Sequence, residues 1–261
     1  MIARCLRTLL ADSTDDEWEV VVVANGCADR TAEIARTVAP HATVIELDEA
    51  SKIAALNLGD RASTVYPRAY LDADVEISSA SLRAVVRSLE VDGVECAAPR
   101  MTLVVGDRPW FVRAFYRAFG RLPYLGDGLV GHGIYVVSEE GRRRFDSFPD
   151  ITADDLFIRN LFAEEERSSV EGATFVVHPP RTLSGLLAIR QRAYRGNEEY
   201  HRRGFTSRAA PTLDPGRNVR ALLRHPFDTT VFVAINTIAR LQLRLRRSTT
   251  TVWERDESGR S

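Results

Sequence analysis

Asp72 and Asp74 sit one residue apart in AYLDADVEISS, where an apolar run gives way to a helix start. Carboxylates at i and i+2 of an extended backbone point the same way, so one divalent cation can take both and relieve their repulsion. A cation with open positions can in turn hold a diphosphate. The plainer alternative has Asp74 capping the next helix and Asp72 solvated. Asp154 and Asp155, in ITADDLFIR, fall in the first turn of a helix, where the macrodipole favours negative charge. Beside a bound diphosphate such a carboxylate could also take a proton from an attacking hydroxyl. Lys52 is the only lysine among 35 basic side chains, and its place at a helix start suits a phosphate contact. His132 lies in GDGLVGHG, as a substrate contact or as a structural loop residue. Gly126, Gly128 and Gly131 there spell G-x-G-x-x-G, but after a helix and before a strand, the reverse of the dinucleotide-binding order. A loop that admits a substrate is the better account.

The elements that must position these residues alternate. MIARCLRTLL has helical spacing, WEVVVVA is a continuous apolar run of the buried-strand kind, and ADRTAEIARTVAP is a helix that stops before Pro40. ATVIEL is the next strand, Ser51 caps the helix in SKIAALNLGDRAS, and RAYLDAD leads into a helix opened by SSASLRAVV. VECAAPR, a helix from Pro109 to Phe119, GIYVVS, a helix from Ala153 to about Glu166, ATFVVH and a long helical tail follow. Such alternation predicts an α/β fold with a mostly parallel, Rossmann-like central sheet covered by helices on both faces. In such sheets ligands bind at the carboxyl ends of the strands, where Asp72 and Asp74 stand. Pro179 and Pro180 suggest a division into a core, residues 1–180, and a basic helical region, residues 181–261.

The chain of 261 residues is 44% hydrophobic, enough for a sizeable core, and its net charge of -1 speaks against a nucleic-acid partner. From Arg181 to Arg247, however, fourteen arginines face four acidic residues, so this third could meet an anionic substrate or an anionic membrane, unless the arginines only solvate helix surfaces. Cys5, Cys27 and Cys96 are widely spaced, which suggests a reducing, cytoplasmic setting without structural zinc. The longest apolar run, VFVAINTIA, is about half of the ~20 residues a membrane span needs. In the tail, Ala234, Ile238, Leu241 and Leu245 share one helical face, with Arg240, Arg244 and Arg247 at its edge and opposite side. That face either packs on the core or lies on the inner face of a membrane.

In this order VVVVANGCADRTAEIA, KIAALNLG, YLDADVEIS, GHGIYVVSEEGRRRF, ITADDLFIR and IRQRAYRGN resemble the successive signatures of family-two glycosyltransferases with the GT-A fold. The resemblance covers roughly Met1 to Asn197. It implies transfer of a sugar from a nucleotide diphosphate-sugar to a hydroxyl of a carbohydrate or lipid-linked acceptor. By it, Asn25 stands where the family has a base-binding aspartate, a departure that leaves the base open, with Asp29 in the same loop. Asp72 and Asp74 match the D-x-D motif that holds the ribose and, through Mg2+ or Mn2+, the diphosphate. Asp155 matches the general base of inverting members, with Asp154 its acidic neighbour. Gln191, Arg192 and Arg195 form a degenerate Q-x-x-R-W motif, lacking the tryptophan, toward the leaving diphosphate.

Members of the family open on a strand of the type V-S-V-V-I-P-A-x-N-E-E that forms part of the nucleotide pocket, whereas this chain opens on the helix that should follow it. The expectation is a misassigned start or a truncated homologue with an impaired donor site, less stable and less active than an upstream-extended form. Two other readings stay open: a non-catalytic nucleotide-sugar-binding homologue, and an aspartyl-phosphate phosphatase using DADV, although there the lysine should follow the aspartates rather than precede them.

Overall fold

The computed structural model describes residues 1–14, 16–122, 132–205 and 224–245. Helix α1 (Ile2–Leu10) opens the fold, followed by β1 (Val21–Asn25), α2 (Thr31–Val38), β2 (Thr43–Leu47), α3 (Lys52–Ala62) and β3 (Arg68–Leu71). After the Asp72–Asp74 turn come β4 (Glu76–Ile77), α4 (Ser79–Ser88), β5 (Cys96–Leu103) and α5 (Trp110–Phe119). The rest comprises β6 (Ile134–Val137), α6 (Glu139–Arg142), α7 (Asp154–Leu161), β7 (Arg167–Val177), α8 (Leu183–Arg202) and α9 (Pro226–Leu245).

The α/β class is as expected, but the strands do not form one mostly parallel sheet. β1 and β2 pair in parallel as a separate two-stranded sheet, and the other five run in the order β3-β6-β5-β7-β4. In this second sheet only β5 and β7 are parallel, while β3 with β6, β5 with β6 and β4 with β7 are antiparallel. Strand–helix alternation enforces parallel pairing only where a helix carries the chain back across the sheet to the neighbouring strand. β1–α2–β2 does so. β3 instead takes as its neighbour the distant β6, which returns in the opposite sense.

Local chemistry sets the element ends. Ser51 accepts the Ala54 amide at 3.1 Å and Ser78 that of Ser81 at 3.2 Å, N-caps worth about 1 kcal/mol each. The helix expected to reach Glu166 ends at Leu161, because Glu164–Glu166 fold into a 3-10 turn that feeds β7, a strand longer than ATFVVH alone predicts.

Apolar side chains from both sheet faces make the core. Tyr70, Cys96, Tyr135, Val137, Phe148, Ile158 and Phe162 cluster on one side, and Leu9, Val75, Ile77, Val85, Ile134 and Phe175 on the other. A third cluster joins α5, α8 and α9 through Val112, Phe115, Leu186, Ile235 and Ala239. α9 therefore packs on the core, but not by the face that the sequence pattern selects: Ile235, Asn236 and Ala239 are buried, whereas Ile238, Leu241 and Leu245 are exposed. Asp228 fixes its start, taking Arg117 at 2.7 Å and Arg121 at 2.8 Å.

Candidate functional site

The turn after β3 holds the first acidic pair. The Asp72 amide donates to the Gly133 carbonyl at 2.8 Å, which ties the turn to the start of β6. Gly133 has φ +99°, and a Cβ there would stand 2.7 Å from Val75 Cγ2 and 3.4 Å from Asp72 Oδ2, so both conformation and space require glycine. His132, just before it, has φ +63° and meets the Phe119 ring edge-on, with centroids 6.1 Å apart. Burial lowers its pKa, and of the nearby charges Asp155 opposes that effect while Arg159 and Arg190 reinforce it. Gly131, the other residue assigned to the acceptor loop, lies outside the described residues.

The second acidic pair opens α7, and α8 braces it. Glu199 accepts the Thr152 amide at 3.0 Å and its hydroxyl at 2.8 Å, while Gly196 lets α8 approach so closely that a Cβ would lie 3.0 Å from Ala153 Cβ. Asp154 is buried at 3% exposure, and Asp155 accepts the Leu156 amide at 2.8 Å.

Lys52 joins the two pairs. Its ammonium lies 2.9 Å from Asp72 Oδ1 and 2.9 Å from Asp154 Oδ1. Burial disfavours its charge, but the two carboxylates outweigh burial and raise its pKa. Burial raises Asp154 to about 6, with Lys52 pulling it down and Asp155 and Asp72 pushing it up. Asp74 is also raised, first by burial and then by Asp72, while Arg192 and Lys52 moderate the shift. Lys52 is thus an electrostatic bridge between the carboxylates rather than a cation pointing freely into a phosphate site. Among the described residues no group of three or more His, Cys, Asp or Glu is placed to hold a metal ion. Asp74, exposed to the cavity and raised beside Asp72, is a donor that a cation would relieve, and Mg2+ ordinarily takes one or two carboxylates with substrate phosphates completing its shell.

A cavity of about 1340 Å3 connects these groups. Asn25 and Asp29 at the end of β1, Lys52, Asp72, Asp74, His132, Asp154, Asp155 and Arg192 all line it. Asp29 also holds the entry to α2, accepting from the Thr31 amide at 3.1 Å. Gln191 and Arg195 are not among the lining residues: Gln191 is buried and donates to Gln242 on α9 at 2.6 Å. Helical geometry explains the separation, because positions 191 and 195 share one face of α8 and 192 lies about 100° round the axis.

The family model for Glycosyl transferase family 2 matches residues 1–137, just over half of the chain. The chain belongs to that family. No curated protein matches. Among solved structures, S. aureus TarS residues 1–349 in complex with UDP-GlcNAc superposes with a TM-score of 0.51 at 13% identity, covering 91% of this chain and 88% of that one. A longer TarS structure gives 0.50 at 15% identity, covering 85% and 40%. Glucosyl-3-phosphoglycerate synthase from Mycobacterium tuberculosis, in complex with phosphoglyceric acid, gives 0.49 at 18% identity over 75% of each chain. The TarS likeness bears on the fold, which is GT-A-like, and the family membership makes this chain a glycosyltransferase.

Several residues of this glycosyltransferase that shape the cleft carry no local sequence signal. Glu199 reads as a solvated helix charge until α8 is seen against Thr152. His178, at the end of β7, lines the cavity and meets Glu76 at 2.5 Å, a carboxylate that Arg4 also takes at 2.6 Å. Asp60, buried behind the site, gathers Arg68, Arg142 and the Tyr70 hydroxyl, each at 2.6 Å, and so ties α3, β3 and α6 together. A helical aspartate with basic residues eight and 82 positions away gives little warning of such a hub. No helix among the described residues is long and apolar enough to cross a membrane.

Proposed function

We propose that the cleft binds a nucleotide diphosphate-sugar and transfers the sugar, with inversion, to a hydroxyl of a carbohydrate or lipid-linked acceptor. The observation that carries the proposal is the Lys52 bridge between Asp72 and Asp154, with Asp155 beside it on the wall of the same cavity. A nucleotide diphosphate-sugar is the ligand class with which the TarS structure was determined, which supports the donor assignment. Asn25 and Asp29 stand where the nucleoside would be received, and Asp72 where its ribose and diphosphate would be held.

In this proposal Asp155 accepts the proton of the acceptor hydroxyl as that oxygen attacks the anomeric carbon. The bond from that carbon to the diphosphate oxygen breaks, and the electron pair leaves with the nucleoside diphosphate. Arg192 faces the charge that grows on the leaving group. Lys52 keeps Asp154 ionised and fixed, which orients the α7 start and hence Asp155. Asp74, with Asp72, would hold Mg2+ or Mn2+, which when bound would offset the diphosphate charge. His132 would meet the acceptor. The core, residues 1–180, would carry donor and base while the region 181–261 supplies Arg192 and the α8 brace, on the cytoplasmic side of the cell.

Asp155→Asn tests the central role, and transfer should fall by about 10²–10⁴-fold, the usual worth of a general base, with donor affinity nearly unchanged. Full turnover in that variant overturns the assignment.

A further inference from the structure

α9 is apolar on two sides. Its inner side, through Ile235 and Ala239, is covered by α5 and α8. Its outer side is not: Phe227 is 62% exposed, Val233 52%, Leu241 52% and Leu245 83%, and Ile238 is exposed with them. Trp110, at the start of α5, extends the surface, with its ring 5.9 Å from that of Phe227 and 58% exposed.

The exposed charged residues of α9 and of the first turn of α5 are of one kind, with Thr230 and Thr237 as neutral polar groups among the apolar ones. Exposed Arg240 and Arg244 run along one border of α9, and exposed Arg113 stands one turn after Trp110. The only acidic residue between Pro226 and Leu245 is Asp228, which is buried and neutralised by Arg117 and Arg121. A surface meant only for water would mix acidic and basic residues among its polar groups. An outward helix face with exposed apolar residues, arginines and no exposed carboxylate of its own, next to an exposed tryptophan, has the composition of a helix lying in a lipid headgroup layer.

We propose that the outer face of α9, with Trp110, is a docking surface for a membrane bearing anionic lipid. α9 lies in the plane of the headgroups, with Phe227, Ile238, Leu241 and Leu245 entering the acyl boundary and Arg113 and Arg244 meeting the lipid charges. The inner face of α9 stays on the core, so docking needs no unfolding. Arg190 and Tyr194 of α8 bond Asn236 of α9 at 3.0 and 2.6 Å, so the helix that docks is rigidly joined to the helix that carries Arg192 to the cleft. The surface stands independently of the donor and base assignments. Its consequence, that a lipid-linked acceptor is presented to the cleft, rests on them.

Co-sedimentation of the full chain with vesicles tests the proposal, using phosphatidylcholine alone and with phosphatidylglycerol at low and high salt. Binding should require phosphatidylglycerol and weaken with salt. The double variant Ile238→Glu, Leu241→Glu should lower partition at least about tenfold while leaving the melting temperature unchanged, since both side chains face solvent. Tryptophan emission should shift to the blue on binding, and the shift should be lost in Trp110→Phe. Asp155→Asn should bind vesicles like the parent, which separates this surface from the chemistry of the cleft. No binding to phosphatidylglycerol vesicles at low salt, or binding untouched by the double variant, overturns the proposal. So does concentration-dependent dimerisation abolished by the same variant, which would make a second copy the occupant.

Discussion

Removing the Lys52 ammonium should cost stability in a way that depends on pH, because the charge it offsets belongs to a buried carboxylate. Methionine at position 52 keeps the apolar stem and deletes the charge. Asp154, 3% exposed, then loses its cation at 2.9 Å while Asp155 and Asp72 still repel it. In the parent, burial already raises Asp154 to about 6. A carboxyl raised on folding stabilises the native state most below its ordinary value near 4, and that stabilisation is lost as pH rises through about 6. Without Lys52 the native value climbs further, so the variant goes on losing stability above pH 6, where the parent has levelled off.

Breaking a buried pair usually costs about 3–5 kcal/mol, but Lys52 is partly exposed and Asp154 can protonate, so about 2–3 kcal/mol is expected at pH 8. At pH 5, with Asp154 largely neutral, only the more exposed Asp72 pair is lost, worth about 0–1 kcal/mol. In a domain of this size the larger figure corresponds to roughly 4–12 °C in melting temperature. Thermal and urea unfolding of parent and variant from pH 4.5 to 8.5 measure it. A deficit that is flat across this range, or below about 0.5 kcal/mol at pH 8, would refute the bridge as the element that tolerates a buried, ionised Asp154.

Asp228→Asn should loosen α9 from α5. Hydrogen bonds from Arg117, opposed by burial and joined by those from Arg121, lower Asp228 from its ordinary 3.8 to about 2, at most roughly 2.5 kcal/mol, and screening at half-exposed Arg117 reduces this to about 1–2 kcal/mol. That contribution is present above pH 4 and lost as pH falls toward 2, so urea unfolding of parent and variant should converge in acid; a gap as wide at pH 2.5 as at pH 5 contradicts it. Joining a five-residue Val/Ile segment ahead of Met1 should slow amide exchange in both β1 and β3 relative to a segment interrupted by proline, and exchange unchanged at either strand rejects the idea that the two edges share one added neighbour.

How much of this was legible in the sequence depended on the range of the interaction. Periodicity located α1, α3 and the Asp72–Asp74 turn to within a residue or two and placed the start of β1 three residues early, and the Ser51 cap was readable because Ala54 is three residues away. Lys52 was conspicuous by type, but its partners at positions 72 and 154 are brought to it by the sheet, so it reads as a phosphate ligand until the fold is seen. Gln191 and Arg192 are neighbours in sequence and diverge in space because a helix turns 100° per residue. The outer face of α9 stood out as apolar, yet the inner face is apolar too, and only the packing of Ile235 and Ala239 on α5 and α8 decides which is covered. The mixed sheet was beyond reach for the same reason, since the pairing of β3 with β6 joins segments more than sixty residues apart.

The sheet also bears on the expected lack of an opening strand. Among the described residues β1 is paired on one side only, with β2, and β3 on one side only, with β6. The remaining sides of both strands line the same cavity, with Cys5, Leu6 and Leu9 of α1 on its wall and Ala55, Leu56 and Gly59 of α3 along it as well. Val21, Val22 and Val23 are three consecutive valines, yet each is only half-buried, which is unusual for an apolar run flanked by helices. Strand edges and helix faces arranged in this way have the form of a place for one more extended segment, parallel to β1 and ending beside Asn25 and Asp72. Met1 lines the cavity too, so a segment ahead of it would reach β1 through α1 as a right-handed crossover. The acidic pairs and Lys52 do not depend on such a segment for their mutual geometry. Donor affinity, rather than the proton transfer at Asp155, is therefore the quantity that an added strand should change first.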